Sequence, residues 1–190
     1  MRLFFATVVV LCASACAASE RKPEAQPVSK TPPAGVFETA DLSLSLPDGY
    51  QDRTAETRAS HIVLALVKNE PKGYSPSITI LKAPIPGGSY ADPAECSRTG
   101  HGFVTGGTEG PGLDGVLKSA QIIDGPTGKT CQIHLVASQG VAIITELHRA
   151  PNTPLTPKDI WLMVCNHAEG DDAAEATCRA TLARFRFRTP

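Results

Sequence analysis

The sequence predicts an α+β fold: a single antiparallel sheet of about six or seven strands flanked by helices, with a C-terminal helix packed on the sheet. Three observations carry that expectation. Apolar runs of strand length recur from Leu42 onward, bounded by Gly, Pro or Asp. The runs between Val116 and His148 succeed one another through short turns, as antiparallel neighbours do. After the last run, Ala174, Cys178, Leu182 and Phe185 recur at helical spacing and share one face.

The chain opens with Met1 and Arg2, an almost wholly apolar Leu3–Ala13, and small residues at Ser14 and Ala15. That is the layout of a secretory signal peptide. Its apolar run is about 11 residues, against roughly 20 for a membrane-spanning helix. Ala13-Ser14-Ala15-Cys16 resembles the lipobox of bacterial lipoproteins, with Ala where Leu is usual. The resemblance implies a diacylglycerol on the Cys16 thiol, cleavage before Cys16, and palmitate or a similar acyl chain on the new amine. The membrane is then a partner through the N-terminal lipid. Ala17 in place of Asp resembles outer-membrane sorting in a cell with two membranes. Ordinary secretion, with cleavage after Ala15 or Ala17, is the alternative and gives a secreted or periplasmic protein.

Three segments follow from this reading: a signal peptide at 1–15, a lipid-anchored tether at 16–35 and a globular domain at 36–190. The tether holds Pro23, Pro27, Pro32 and Pro33 and few side chains to bury, so an extended or disordered state is expected. The domain is long enough for one proper core.

Within the domain, Leu42, Leu44 and Leu46 alternate with Ser43 and Ser45, a half-buried strand closed by Pro47-Asp48-Gly49. Ile62–Val67 is apolar on both faces, which places it mid-sheet. Ser77–Leu81 is a third strand. Pro93–Thr99 reads as a short helix capped by Asp92. Gly100–Gly115 holds seven glycines and reads as a long surface loop, too glycine-rich for a regular helix or a central strand. Val116–Ile123, Thr130–Ala137 and Val141–His148 form a meander, the last two joined at Ser138-Gln139-Gly140. Ile160–Cys165 is the last strand. A helix over Ala173–Phe185 follows, with Asp172 and Glu175 spaced as a capping box.

Four cysteines follow Cys16: Cys96, Cys131, Cys165 and Cys178. An even number in an exported chain fits two disulfides, and three pairings are possible. Cys165 ends a strand and Cys178 lies on the inward face of the next helix, which favours Cys165–Cys178 and leaves Cys96–Cys131. No CxxC spacing suggests thiol redox chemistry, and the separations make no zinc motif.

The formal net charge of −1 offers no basic face for nucleic acid. Gly125-Pro126-Thr127-Gly128-Lys129-Thr130 ends like a P-loop, but the first glycine is replaced by Ile123 and a strand follows Lys129. It reads as a turn. Among the five histidines, His134 and His148 lie on paired strands, with Glu146 the nearest third ligand; a strand-face pair is the simpler reading. Ser97 and His101 are the nearest approach to a hydrolytic cluster, and a turn accounts for them better. No catalytic, cofactor or metal residue is assigned.

Leu42-Ser43-Leu44-Ser45-Leu46-Pro47-Asp48-Gly49-Tyr50 resembles the opening strand and turn of PsbP-like domains. Tyr74–Ile80 resembles their next landmark, and Trp161–Cys165 with Cys178–Phe187 resembles their closing strand and helix. The resemblance spans most of Thr39–Phe187 and implies an α/β/α sandwich. It also implies an adaptor or assembly role, since the family includes a photosynthetic extrinsic subunit, a nuclear-import factor and bacterial lipoproteins. The expectation is a lipid-anchored, non-enzymatic binding or adaptor module of the cell envelope, with a possible envelope protein partner. The alternative is a soluble exported hydrolase or metal-dependent enzyme.

Overall fold

The computed structural model describes residues 35–59, 61–83, 92–106, 112–125, 128–149 and 160–188. The expected signal peptide, Cys16 and nearly all of the tether lie outside the described residues.

The order of elements is β1 (Val36–Glu38), β2 (Leu42–Ser45), β3 (Tyr50–Asp52), β4 (Ile62–Lys68), β5 (Ser77–Ala83), α1 (Pro93–Thr105), β6 (Gly115–Gly125), β7 (Gly128–Ala137), β8 (Val141–Arg149), β9 (Ile160–Ala168), α2 (Asp172–Arg184) and β10 (Arg186–Phe187). Seven strands form one antiparallel sheet in the order β3-β4-β5-β9-β8-β7-β6. The expected meander is present and continues into β9, which enters between β8 and β5. A helix covers each face. The result is an α+β sandwich, a large antiparallel sheet between helices.

Strand alternation sorts the side chains into two cores. On one face Leu64, Leu66, Ile78, Ile80, Ile144 and Met163 meet Cys178, Leu182 and Phe185 from α2 and its end. On the other, Cys131, Ile133, Leu135, Leu147 and Leu162 meet Cys96 of α1, with Phe103 and Val104 partly buried beside them. The face expected for the last helix is the buried one: Ala174, Cys178, Leu182 and Phe185 are all buried.

Three local expectations are corrected. The Leu42–Leu46 segment does not join the large sheet; β2 pairs with β1 and β10 in a separate three-stranded sheet. Leu42 and Leu44 are fully buried in the core shared with α2. Alternation identifies a buried face but not the layer it is buried against. The cap of α2 is Asp171, whose side chain accepts from the Ala174 N–H at 3.0 Å. Asp172 is already helical, and Glu175 turns to Arg179 instead of closing a capping box. Gly170, at φ 84°, turns the chain between β9 and α2, and the helix begins one residue earlier than expected.

The third correction concerns the glycine-rich segment. Helix α1 begins where expected, with Asp92 accepting from Ala94 and Glu95 N–H groups, but it runs on through Gly100 and Gly102 to Thr105. A Cβ on Gly100 would lie 2.8 Å from the Ala120 Cβ on β6, so the glycine lets helix and sheet approach closely. A Cβ on Gly112 would lie 2.1 Å from the Val104 carbonyl oxygen. Close packing, not chain flexibility, uses these glycines.

Two neighbouring substitutions separate these effects. Gly100→Ala gains helix propensity of about 1 kcal/mol but overpacks a rigid strand, and a net loss of about 1–2 kcal/mol is expected. Gly102→Ala meets nothing within 4 Å. It is expected to stabilise by about 0.5–1 kcal/mol. Denaturant midpoints of the two variants check this; equal effects would show that α1 does not seat Gly100 against β6.

Candidate functional site

Both expected disulfides are formed. Cys96 on α1 joins Cys131 on β7, with Cα atoms 5.5 Å apart. Cys165 on β9 joins Cys178 on α2, with Cα atoms 6.0 Å apart. Each bridge fastens one helix to one face of the sheet. Cys178 sits two turns into α2 on its inward face, directly over the strand that carries Cys165, as the helical spacing required.

Beneath α2 lies a buried polar network that sequence reasoning missed. The Gln132 amide on β7 donates to Glu146 Oε1 on β8 at 2.8 Å. Glu146 Oε2 meets His148 Nε2 at 2.9 Å. Arg179 of α2 donates to the Gln132 amide oxygen at 3.2 Å and also pairs with Glu175 at 2.7 Å. Gln132, Glu146 and His148 are all buried, and the His148 ring packs 5.2 Å from the ring of Phe185. The nearby Thr130 hydroxyl donates to the Leu147 carbonyl. The available signal was polar Thr130, Gln132 and His134 alternating with Cys131, Ile133 and Leu135. That pattern ordinarily marks a solvent face, but α2 covers part of it.

His134 and His148 lie on paired strands, as read from the sequence, but the register keeps them apart. His134 stands opposite Ile144, four residues along β8 from His148. His134 instead shares its surroundings with His167, Glu175, Arg179 and Lys118. Burial pushes its imidazole below the usual range; Glu175 opposes this, while Arg179, His167 and Lys118 reinforce it. The His167 Nδ1 lies 2.9 Å from the Ala168 carbonyl, so this nitrogen carries the proton. The Nε2 atoms of His134 and His167 are buried without a hydrogen-bond partner among the described residues. Hydrogen bonding to Arg179 holds the Glu175 carboxyl below its ordinary value, opposed by some burial and helped by the charge on Arg179.

These shifts have a pH consequence. His134 titrates lower in the fold than its free value of 6.5. The unfolded chain therefore takes up more protons, and this contribution is full above the free value and lost as pH falls through the folded one. Glu175 acts in the same direction on the acid side of 4.5. Urea midpoints are expected to fall between pH 7.5 and pH 5, by less in His134→Asn. An unchanged slope in the variant would rule out His134 as a source.

The remaining motifs resolve structurally. Gly125 and Gly128 face one another across the β6–β7 hairpin, and Lys129 reaches Asp124 at 3.2 Å. Lys129 lies within strand β7, where a P-loop would open a helix; Pro126 and Thr127 lie outside the described residues. Ser97 and His101 lie one helical turn apart on α1, not in a turn, and His101 is exposed. Among the described residues, no three His, Cys, Asp or Glu side chains are arranged to hold a metal.

The other feature is the edge of the sheet. β6 is the terminal strand, eleven residues long, and among the described residues nothing pairs with its outer side. A shallow depression of about 410 Å³ lies at its start, lined by Val116, Lys118, Val136, Ala137, Gly140 and Glu169. Val116 is 60% exposed. A bulge between Leu117 and Ser119 interrupts the ladder at Lys118. The opposite edge, β3, has only three residues. No protein-family model matches the chain, and no curated protein matches it.

Proposed function

We propose that the chain is a lipid-anchored binding or adaptor module of the bacterial cell envelope, with a PsbP-like sandwich carried on a Pro-rich tether and no catalytic step of its own. The observation that carries this reading is the use of cysteine. All four cysteines after Cys16 are consumed in bridges that fasten helices to the sheet. Such bridges form and persist in exported proteins. Cys16 then stands apart, behind a signal-like apolar run and small residues. Several acyl chains hold a protein firmly where one binds only marginally. The long edge strand β6 is the surface best suited to binding, because its outer backbone groups offer pairing to another strand.

The test is to grow a bacterial host expressing the full chain with labelled palmitate. The wild type is expected to take up label and to sediment with membranes. Cys16→Ser is expected to lose the label and leave the membrane fraction. An unlabelled wild type, with a mature chain starting at Cys16 or Ala18, would overturn the anchor and favour simple secretion.

A further inference from the structure

We propose that the first turns of α2, residues 172–177, open from the sheet in acid, driven by protons on His134 and His167, while the Cys165–Cys178 bridge keeps the rest of the helix docked. This goes beyond the envelope-module reading, and neither the anchor nor the adaptor role is needed for it.

The pleat puts both histidines on the face that α2 covers. Cys131, Ile133 and Leu135 belong to the α1-side core, so His134 faces α2. Cys165 belongs to the α2-side core, so His167, two residues on, faces α2 as well. The two stand on β7 and β9 with β8 between them, His134 opposite Ile144 and His167 opposite Ala142. His167 is 2% exposed, and the Nε2 atoms of both rings are buried with no hydrogen-bond partner among the described residues. The His167 proton already sits on Nδ1, toward the Ala168 carbonyl. A second proton, on Nε2, is then a buried charged donor without an acceptor, which is costly until the cover lifts.

The surrounding charges do not offset those protons. Lys118 of β6 and Arg179 of α2 are already cationic, and their carboxylate partners are engaged: Glu169, in the turn before α2, lies 3.6 Å from Lys118, and Glu175 lies 2.7 Å from Arg179. Asp171 caps the Ala174 N–H. Farther along β8, Glu146 and His148 meet each other. Of the groups around His134, Glu175 favours the charged ring, and burial outweighs it. The segment above the rings is also the most lightly packed part of α2. Of residues 172–177 only Ala174 is buried, whereas Cys178, Thr181 and Leu182 are buried beyond it, with Phe185 just past the helix end. Local opening is easiest where few apolar contacts are given up. The bridge to β9 at Cys178 marks where the opening stops.

Hydrogen exchange of the full chain, with both bridges intact, tests this at about pH 7.5 and about pH 5, each amide referred to its unprotected rate at that pH. Protection at residues 175–177 is expected to fall at least about tenfold in acid, the effect of a one-unit shift on a single histidine. Protection at residues 182–184, beyond the bridge, is expected to change by less than about twofold. His134→Asn combined with His167→Asn is expected to abolish the pH dependence, because asparagine keeps a neutral donor in place of Nδ1. Imidazole carbon shifts in the wild type give a reading that does not depend on the variant folding: both rings are expected to titrate with the midpoint of the lost protection. An equal fall in both halves of the helix overturns the proposal, since that is global loosening. Unchanged protection at residues 175–177 overturns it too, as do a pH dependence that survives in the double variant and ring titrations displaced from the exchange curve.

Discussion

Replacing Cys96 and Cys131 together with Ala is expected to remove about 4 kcal/mol of stability, against about 3 kcal/mol for Cys165 with Cys178. The order follows from the loops closed: sequence separations of 35 and 13 residues. A longer loop gives the unfolded chain more freedom to lose. Alanine is preferred to serine because all four sites are nearly or fully buried, and a hydroxyl there would need a partner. Losing both bridges removes about 7 kcal/mol, comparable with the whole stability of an ordinary domain. The reduced chain is therefore expected to lose its fixed packing. Guanidinium melts of the two double variants check the order. A loss below about 1 kcal/mol for Cys96 with Cys131 would mean that α1 docks adequately through Phe103, Val104 and the Gly100 contact alone. Dependence on both bridges would tie the fold to an oxidising compartment and so support export.

The second large effect is expected at Glu146. Glu146→Ala should cost about 3–5 kcal/mol, because it strips a buried polar cluster of its central acceptor. The Gln132 amide loses the carboxyl oxygen at 2.8 Å, and His148 loses the one at 2.9 Å. Neither side chain can turn to water, since both are buried against the sheet face beneath α2. Glu146→Gln preserves shape and an acceptor for Gln132, so a smaller loss of about 1–3 kcal/mol is expected. Urea unfolding of the two variants gives the comparison. Equal losses would show that volume, not the polar contacts, holds this part of the core. The cluster also reaches α2 through Gln132 and Arg179, so hydrogen exchange in α2 is expected to quicken in Glu146→Ala before other elements respond.

Much of the fold was legible because its signals are local. The period of Ala174, Cys178, Leu182 and Phe185 marked both a helix and its buried face. That face then named the partner of Cys165, since few inward cysteines were available. The meander was legible because each turn lies beside the strands it joins. The polar network was not legible, because Glu146 and His148 resemble an ordinary wet strand face until α2 is laid over them. Gly100 misled for a related reason. Its cost in an isolated helix is about 1 kcal/mol, and the contact with Ala120 that justifies it lies on an element twenty residues away.

By itself the sequence determined the longer strands and the last helix, the apolar face of that helix, and which cysteines a two-bridge domain would join, but not the short strands β1, β3 and β10 or the second half of α1. Those properties depend on side-chain periodicity and on Gly and Pro, which act over a few residues. Tertiary structure alone decided that β9 enters between β5 and β8, that β2 leaves the large sheet for β1 and β10, and that β6 is the terminal strand of the sheet among the described residues. A strand's hydrogen bonds and pleat are satisfied equally well beside many neighbours, so pairing is settled by the packing of the whole chain and not by any one segment.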